Sequence, residues 1–256
     1  MNAAVTPLST MDFRGDFGEI CLCFPPAGGT VLGLRGFVLA SSGVELWGVE
    51  YPGHGERLTE PPAESVECLA EEIALESLGR FGAAGSSRVV LIGFSMGAFV
   101  ALEVAQRMHL RRRTAPAALI VVGVCAPQRR MPGRYAKAEV SQLLDRAGLS
   151  PAGCRQSPEL REYALELLRG DLRLTSAYSG PAKVLLRCPI IAIRGEDDPA
   201  FTTGDDAIRA WRVWTSGKFT GCVVPGGHLG VLEPGRAAGF WALVRRAGFG
   251  MEPCDE

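Results

Sequence analysis

The sequence is poor in the features that would mark a membrane, secreted or nucleic-acid-binding protein. No apolar run approaches the ~20 residues that a membrane-spanning helix requires. The stretch Met1 to Gly18 carries Asp12 and Asp16 among scattered Thr and Pro, rather than a basic start followed by an apolar core. A secretory leader is therefore not expected, and the protein is expected in the cytoplasm. Neither sign of charge dominates: 27 Lys and Arg stand against 28 Asp and Glu, a formal charge of -1. That balance excludes the broad basic field of a nucleic-acid binder and leaves recognition to local features. Glycine-rich phosphate loops of the GxGxxG or Walker type are missing, so nucleotide chemistry has no support. None of the eight cysteines forms a CxxC pair. Cys21, Cys23, Cys125, Cys188 and Cys222 lie in or beside apolar strand-like runs and read as small buried hydrophobes rather than redox or metal-binding groups.

What is present is apolar and ordered. The chain has 256 residues, 47% of them hydrophobic, enough for one large core. Short runs rich in branched apolar residues recur at Ile20–Phe24, Val44–Val49, Val89–Phe94, Leu119–Val124, Ile190–Ile193 and Cys222–Val224 and read as buried strands. Between them lie segments with helical spacing, such as Val66, Leu69, Ile73 and Leu78. This alternation predicts an α/β protein, a mostly parallel sheet with helices on both faces. The interval from Val124 to Pro189 is far longer than a crossover helix needs. It predicts a helical insertion over about 128–186, with amphipathic segments Glu139–Ala147 and Glu159–Tyr178, in one domain spanning 1–256. On this topology the insertion covers the carboxyl ends of the strands as a lid, or else stands away from the site as an ornament.

The candidate chemistry starts at Gly93-Phe94-Ser95-Met96-Gly97. The pattern GxSxG is weak alone, but here a strand leads in and a helix leads out, the context of a nucleophile turn. Ser95 would then sit at a helix N-terminus, where developing negative charge is favoured. A serine hydroxyl needs a base, and the chain has only His54, His109 and His228. His109 lies far along the helix that starts at Ser95. His54, in Tyr51-Pro52-Gly53-His54-Gly55-Glu56-Arg57, follows a strand and remains a second candidate. His228, in Pro225-Gly226-Gly227-His228, follows the last strand, where the chain order serine, acid, histidine places the base. No carboxylate occurs between Glu103 and Glu139, so the acid must come from Gly195-Glu196-Asp197-Asp198, with Asp198 favoured over Asp197. Two backbone N–H donors are needed for an oxyanion. Met96 supplies one. In Phe24-Pro25-Pro26-Ala27-Gly28-Gly29 the prolines have no N–H, which makes Ala27 the first available second donor. Gly28 and Gly29 read as bare backbone for close approach of substrate, or as a plain helix-start turn.

These motifs in this order resemble the type II, or editing, thioesterases of polyketide and nonribosomal peptide assembly lines. The resemblance rests on Cys23 to Gly29, Tyr51 to Arg57 with Glu60-Pro61-Pro62, Gly93 to Ala98, Ala126-Pro127, Leu168-Arg169-Gly170-Asp171, Gly195 to Pro199 and Gly226 to His228. It implies an α/β-hydrolase fold with a catalytic triad of Ser95, Asp198 and His228. It also implies hydrolysis of acyl groups from the phosphopantetheine of acyl carrier or peptidyl carrier proteins, with no metal or bound cofactor; composition already argues against nucleic-acid and membrane partners. Departures from the family pattern fall at the pocket. His54 stands where arginine is common, Pro26 where histidine or an aromatic is common, and Leu229-Gly230 where aromatics follow the histidine. Pro26, Gly28 and Leu229 are thus expected to border substrate. Apolar lid residues Leu143, Leu144, Leu167, Leu168 and Leu172 are expected mostly to pack, with one or two at the acyl wall. The arginines at 107, 111–113 and 129–130 either meet an acidic carrier or are simply solvated. A carboxylesterase or lipase, a chain-releasing thioesterase and a non-catalytic module are the competing readings.

Overall fold

The computed structural model describes residues 3–8, 20–34, 37, 45–86, 88–112, 115–129, 137–146, 157–182, 185–201, 206–233 and 235–246. Seven strands form one sheet: β1 (Val5–Pro7), β2 (Ile20–Phe24), β3 (Glu45–Val49), β4 (Val89–Phe94), β5 (Ala118–Val122), β6 (Ile190–Gly195) and β7 (Phe219–Val224). Their spatial order is β1-β3-β2-β4-β5-β6-β7. All neighbours are parallel except β1, which pairs antiparallel with β3. The six longer strands fall where the apolar runs predict. β1 escapes the sequence reading because a three-residue strand ending in proline carries no periodic signal.

The period-two geometry of strands explains how one sheet serves two cores. Leu22, Leu91, Val121 and Ala192 face one core, whereas Cys23, Ile92, Ile120 and Ile193 face the other. The first core is closed by helices α1 (Val66–Ser86), α2 (Met96–Arg112), α3 (Lys137–Arg146) and α4 (Pro158–Ala177). The second is closed by α5 (Ala237–Arg246), with the rings of Phe94, Phe240 and Trp241 set edge-on or tilted around Phe37. Burial on both faces accounts for the near-continuous apolar strands. Cys21, Cys23 and Cys188 lie buried in this packing, and burial raises the Cys188 pKa to about 12. They behave as apolar filler, as the sequence indicates.

Helices α3 and α4 occupy the long interval between β5 and β6, at the place of the expected insertion. Ser157 caps α4 by accepting the Leu160 N–H at 3.2 Å, and Pro158 follows at a position that needs no N–H. Among the described residues no helix is long and apolar enough to cross a membrane. In register, Phe24 lies opposite Gly93, Phe94 opposite Val122, and Val122 opposite Ile193. The loops after β2, β4 and β6 therefore leave the sheet along one edge. Trp241, 2% exposed, anchors the second core. Trp241→Ala is expected to cost ~3–5 kcal/mol, measurable as a lower midpoint of urea unfolding.

Candidate active site

The turn between β4 and α2 is tight because nothing larger than glycine fits beside it. A Cβ on Gly97 would overlap the Phe24 carbonyl, and one on Gly93 would overlap the Ala98 backbone. Between them Ser95 has φ 51°, the one non-glycine residue with a left-handed backbone among the described residues. Such a conformation costs on the order of 1–3 kcal/mol and persists only where its surroundings impose it. The Ser95 N–H donates to the Val122 carbonyl at 2.8 Å, which extends the sheet ladder into the turn. Ser95 is left half-buried above the strand ends, at the N-terminus of α2.

The structure brings His228 and Asp198 to this serine. His228 Nε2 lies 3.0 Å from Ser95 Oγ, and its Nδ1 lies 2.9 Å from Asp198 Oδ2. Asp198 is buried, and its other oxygen accepts the Ala200 N–H at 2.9 Å. Asp197 and Glu196 are exposed. The acid loop is tied to the histidine loop by two backbone bonds, Glu196 N–H to Val224 O at 2.8 Å and Asp197 N–H to Gly226 O at 3.0 Å. Such a line can draw a proton from the hydroxyl towards an imidazole whose orientation the carboxylate holds. His109 ends up half-buried near the far end of α2, its Nδ1 without a hydrogen-bond partner.

The loop after β2 faces the same turn. Tyr51 Oη donates to the Pro25 carbonyl at 3.0 Å. Burial first, then the Asp171 and Glu50 carboxylates, push the Tyr51 pKa well above the ordinary phenol value, so it keeps its proton. The Gly28 N–H is taken by Asp171 Oδ2 at 2.7 Å and the Gly29 N–H by the Pro26 carbonyl at 2.9 Å. Among the described residues that leaves the Ala27 N–H as this turn's donor without an acceptor. Met96, first residue of α2, has an N–H that the helix itself cannot satisfy.

With this geometry in hand, comparison with known proteins is decisive. The family model described as Thioesterase domain matches residues 19–242. The chain belongs to the thioesterase family. It is similar to "Thioesterase PikA5" of Streptomyces venezuelae, 34% identical over 219 residues, 81% of this chain and 74% of that protein. It is also 34% identical over 215 residues to the AMB antimetabolite synthetase AmbE of Pseudomonas aeruginosa, of which it spans only 10%. Among solved structures, YbtT, a type II thioesterase from the yersiniabactin NRPS/PKS pathway, superposes with a TM-score of 0.80 at 29% identity, over 96% of this chain and 98% of that one.

Several expectations about this thioesterase need revision in physical detail. Gly28 is not bare for the sake of substrate alone: at φ 70°, its missing Cβ would stand 3.2 Å from Leu168 Cβ, so helix α4 is seated on the loop itself. Leu229 is buried in the second core, with Val231 and Phe240. Of the leucines expected in a lid, Leu144 and Leu168 are buried in the first core, and Leu143 and Leu172 pack against it. Leu167 instead lines a cleft of about 230 Å³ between α4 and the loop after β3, walled also by Pro52, Leu58, Pro62, Tyr163 and Leu174. Neither Ser95 nor His228 borders that cleft.

Of the arginines read as meeting a carrier or as solvated, Arg107 and Arg111 are engaged within the protein, and Arg129 is exposed. Arg107 pairs with Glu103 and with Glu71 at 3.1 Å, and Arg111 pairs with Glu71, which offsets the positive field along α2. The arginines at 113 and 130 and the side chain at 112 lie outside the described residues. His54, the second candidate base, points away to Asp171. Asp171 and Tyr51 are contacts that sequence reasoning missed. The Leu168-Arg169-Gly170-Asp171 motif was visible, but nothing in it says where the carboxylate points. Gly97→Ala is expected to cost ~1–3 kcal/mol through overpacking, seen as a lower thermal midpoint.

Proposed function

We propose that this thioesterase uses Ser95 as nucleophile, His228 as base, Asp198 as the acid that orients it, and the Ala27 and Met96 N–H groups as oxyanion donors. The observation that carries the reading is the continuous hydrogen-bonded line from Ser95 Oγ through both nitrogens of His228 to the buried Asp198. In the first half-reaction Oγ attacks the thioester carbonyl while Nε2 takes its proton, and the new oxyanion meets the two N–H donors. The intermediate collapses, the C–S bond breaks, and His228 returns the proton to the leaving thiolate. In the second half, water gives a proton to His228 as it attacks the acyl-serine ester. A free acid departs and Ser95 recovers its proton.

The substrate we propose is an acyl group on the phosphopantetheine of an acyl or peptidyl carrier protein, in a polyketide or nonribosomal peptide pathway. Removal of stalled or aberrant groups is the preferred role. Two similarities support it: the near full-length match to the type II thioesterase YbtT, which was also solved as a serine-to-alanine mutant, and the match to PikA5. Release of a finished chain is the second reading, supported by the likeness to a small part of the AmbE synthetase. In either role we place residues 128–186 as a lid, Pro26 and Gly28 beside the thioester, and the enzyme in the cytoplasm.

Two outcomes test this. A fluorophosphonate probe is expected to give one adduct by intact mass, absent in Ser95→Ala. Asp198→Asn is expected to lower kcat ~10⁴-fold, whereas Asp197→Asn leaves it near wild type; equal losses would mean that the acid is misassigned. On substrate, kcat/KM for one short acyl group is expected to be higher on a carrier protein than on coenzyme A. Equal values, or greater activity on long-chain glycerides, would overturn the editing role while leaving the serine mechanism in place.

A further inference from the structure

Outside the Ser95 line, the most unusual polar feature is a buried pair joining two distant segments. His54, 2% exposed, and Asp171, 5% exposed, meet at 3.0 Å between His54 Nε2 and Asp171 Oδ2. The other ring nitrogen, Nδ1, lies 3.1 Å from the Pro52 carbonyl oxygen. A carbonyl can only accept. Asp171 Oδ2 also accepts the Gly28 N–H at 2.7 Å, so this oxygen serves as an acceptor. Both ring nitrogens of His54 thus face acceptors, and only the imidazolium carries two N–H groups. Burial alone would push the His54 pKa down, but the hydrogen bond and charge of Asp171, the Pro52 carbonyl and Glu50 outweigh it and hold it above the ordinary imidazole value.

The other charged and titratable groups around the pair come from each element packed there. Glu50 and Tyr51 follow β3, Glu56, Arg57 and Glu60 belong to the loop of His54, and Tyr163 and Glu166 belong to α4. Arg57 is committed to Glu60 and Glu72, each at 2.6 Å. Glu50 accepts the Val31 N–H at 3.2 Å, and burial raises its pKa. No cation among these groups replaces His54 beside Asp171.

We propose that His54 and Asp171 are positioning residues for the hydrolysis: Asp171 holds the Gly28 N–H, and the imidazolium of His54 holds Asp171. The proposal rests on the assignment of Ala27 as an oxyanion donor. Fixing the Gly28 N–H fixes the peptide plane that follows Ala27 and removes Gly28 as a competing donor. Leu168, one turn earlier on α4, sits on the same glycine, so helix and loop are set together. The sign of the pH dependence follows from the raised His54 value. The pair is intact at low pH and weakens as pH rises through the folded-state pKa, because neutral imidazole leaves one of its two acceptors unpaired.

The test is the pH dependence of kcat and KM for butyryl-pantetheine thioester in wild type, His54→Arg, Asp171→Asn and Ser95→Ala, corrected for uncatalysed hydrolysis. Wild-type kcat is expected to fall several-fold on the alkaline side with little change in KM. His54→Arg keeps a cation that does not titrate and is expected to lose that alkaline fall. Asp171→Asn is expected to lower kcat about tenfold, less than the ~10²–10³-fold loss of an oxyanion donor itself. If Asp171→Asn does not fold, the comparison of wild type with His54→Arg decides. A wild-type plateau that runs to the limit of alkaline stability, or the same alkaline fall in His54→Arg, overturns the proposal. Failure of the underlying mechanism has a different signature, full turnover in Ser95→Ala, and removes the proposal with it.

Discussion

The left-handed backbone of Ser95 is the constraint around which the rest is arranged. A residue with a side chain adopts φ 51° only if both neighbours force it, and here the force comes from the sheet below and the helix beyond. The strand ladder grips Ser95 through Val122, and α2 begins at once, with Gly97 against the Phe24 carbonyl. Holding such a turn needs a rigid base, which the two apolar cores on either side of the sheet supply. The same strand ends then carry the loops of Asp198 and His228, so that three residues far apart in sequence meet without any one loop having to be long.

Charge in this molecule works by pairing and not by a field. Arg57, Arg107, Arg111 and His54 each meet a carboxylate, and the most buried of these contacts lie where loops must be pinned to helices. Buried ion pairs add little net stability, because desolvation offsets most of the attraction. Their value lies in geometry: Arg57 joins the loop after β3 to α1 through Glu72 and to the strand end through the Glu50 carbonyl. Glu103 accepts from Tyr178 at 3.0 Å, and so ties the end of α4 back to α2.

The parts of this architecture legible in the sequence were those with local signals. Apolar runs bounded by breakers located the six main strands, and the context of Gly93 to Gly97 located the turn. The lack of carboxylates between Glu103 and Glu139 moved the acid to the loop after β6. Contacts between segments distant in sequence were not legible. Asp171 lies 117 residues from His54 and 143 from Gly28, and no pattern in α4 announces either partner. The engagement of Arg107 and Arg111 was hidden for the same reason: a run of arginines looks like a basic surface until the helix beside it supplies the glutamates. β1 was too short to be periodic.

One helix, α4, presents two stripes with unequal freedom. Leu168 faces the loop at Gly28, Leu167, Gly170 and Leu174 face the cleft, and Asp171 holds the loop while also bordering the cleft beside His54. Over generations of drift the cleft stripe can be rewritten residue by residue, since its neighbours are partly open space. The loop stripe can change only in concert with Gly28 and His54. A chimaera built by transplanting this helix from a relative would therefore have to carry Leu168 and Asp171 at their three-residue interval, whatever it did with the rest.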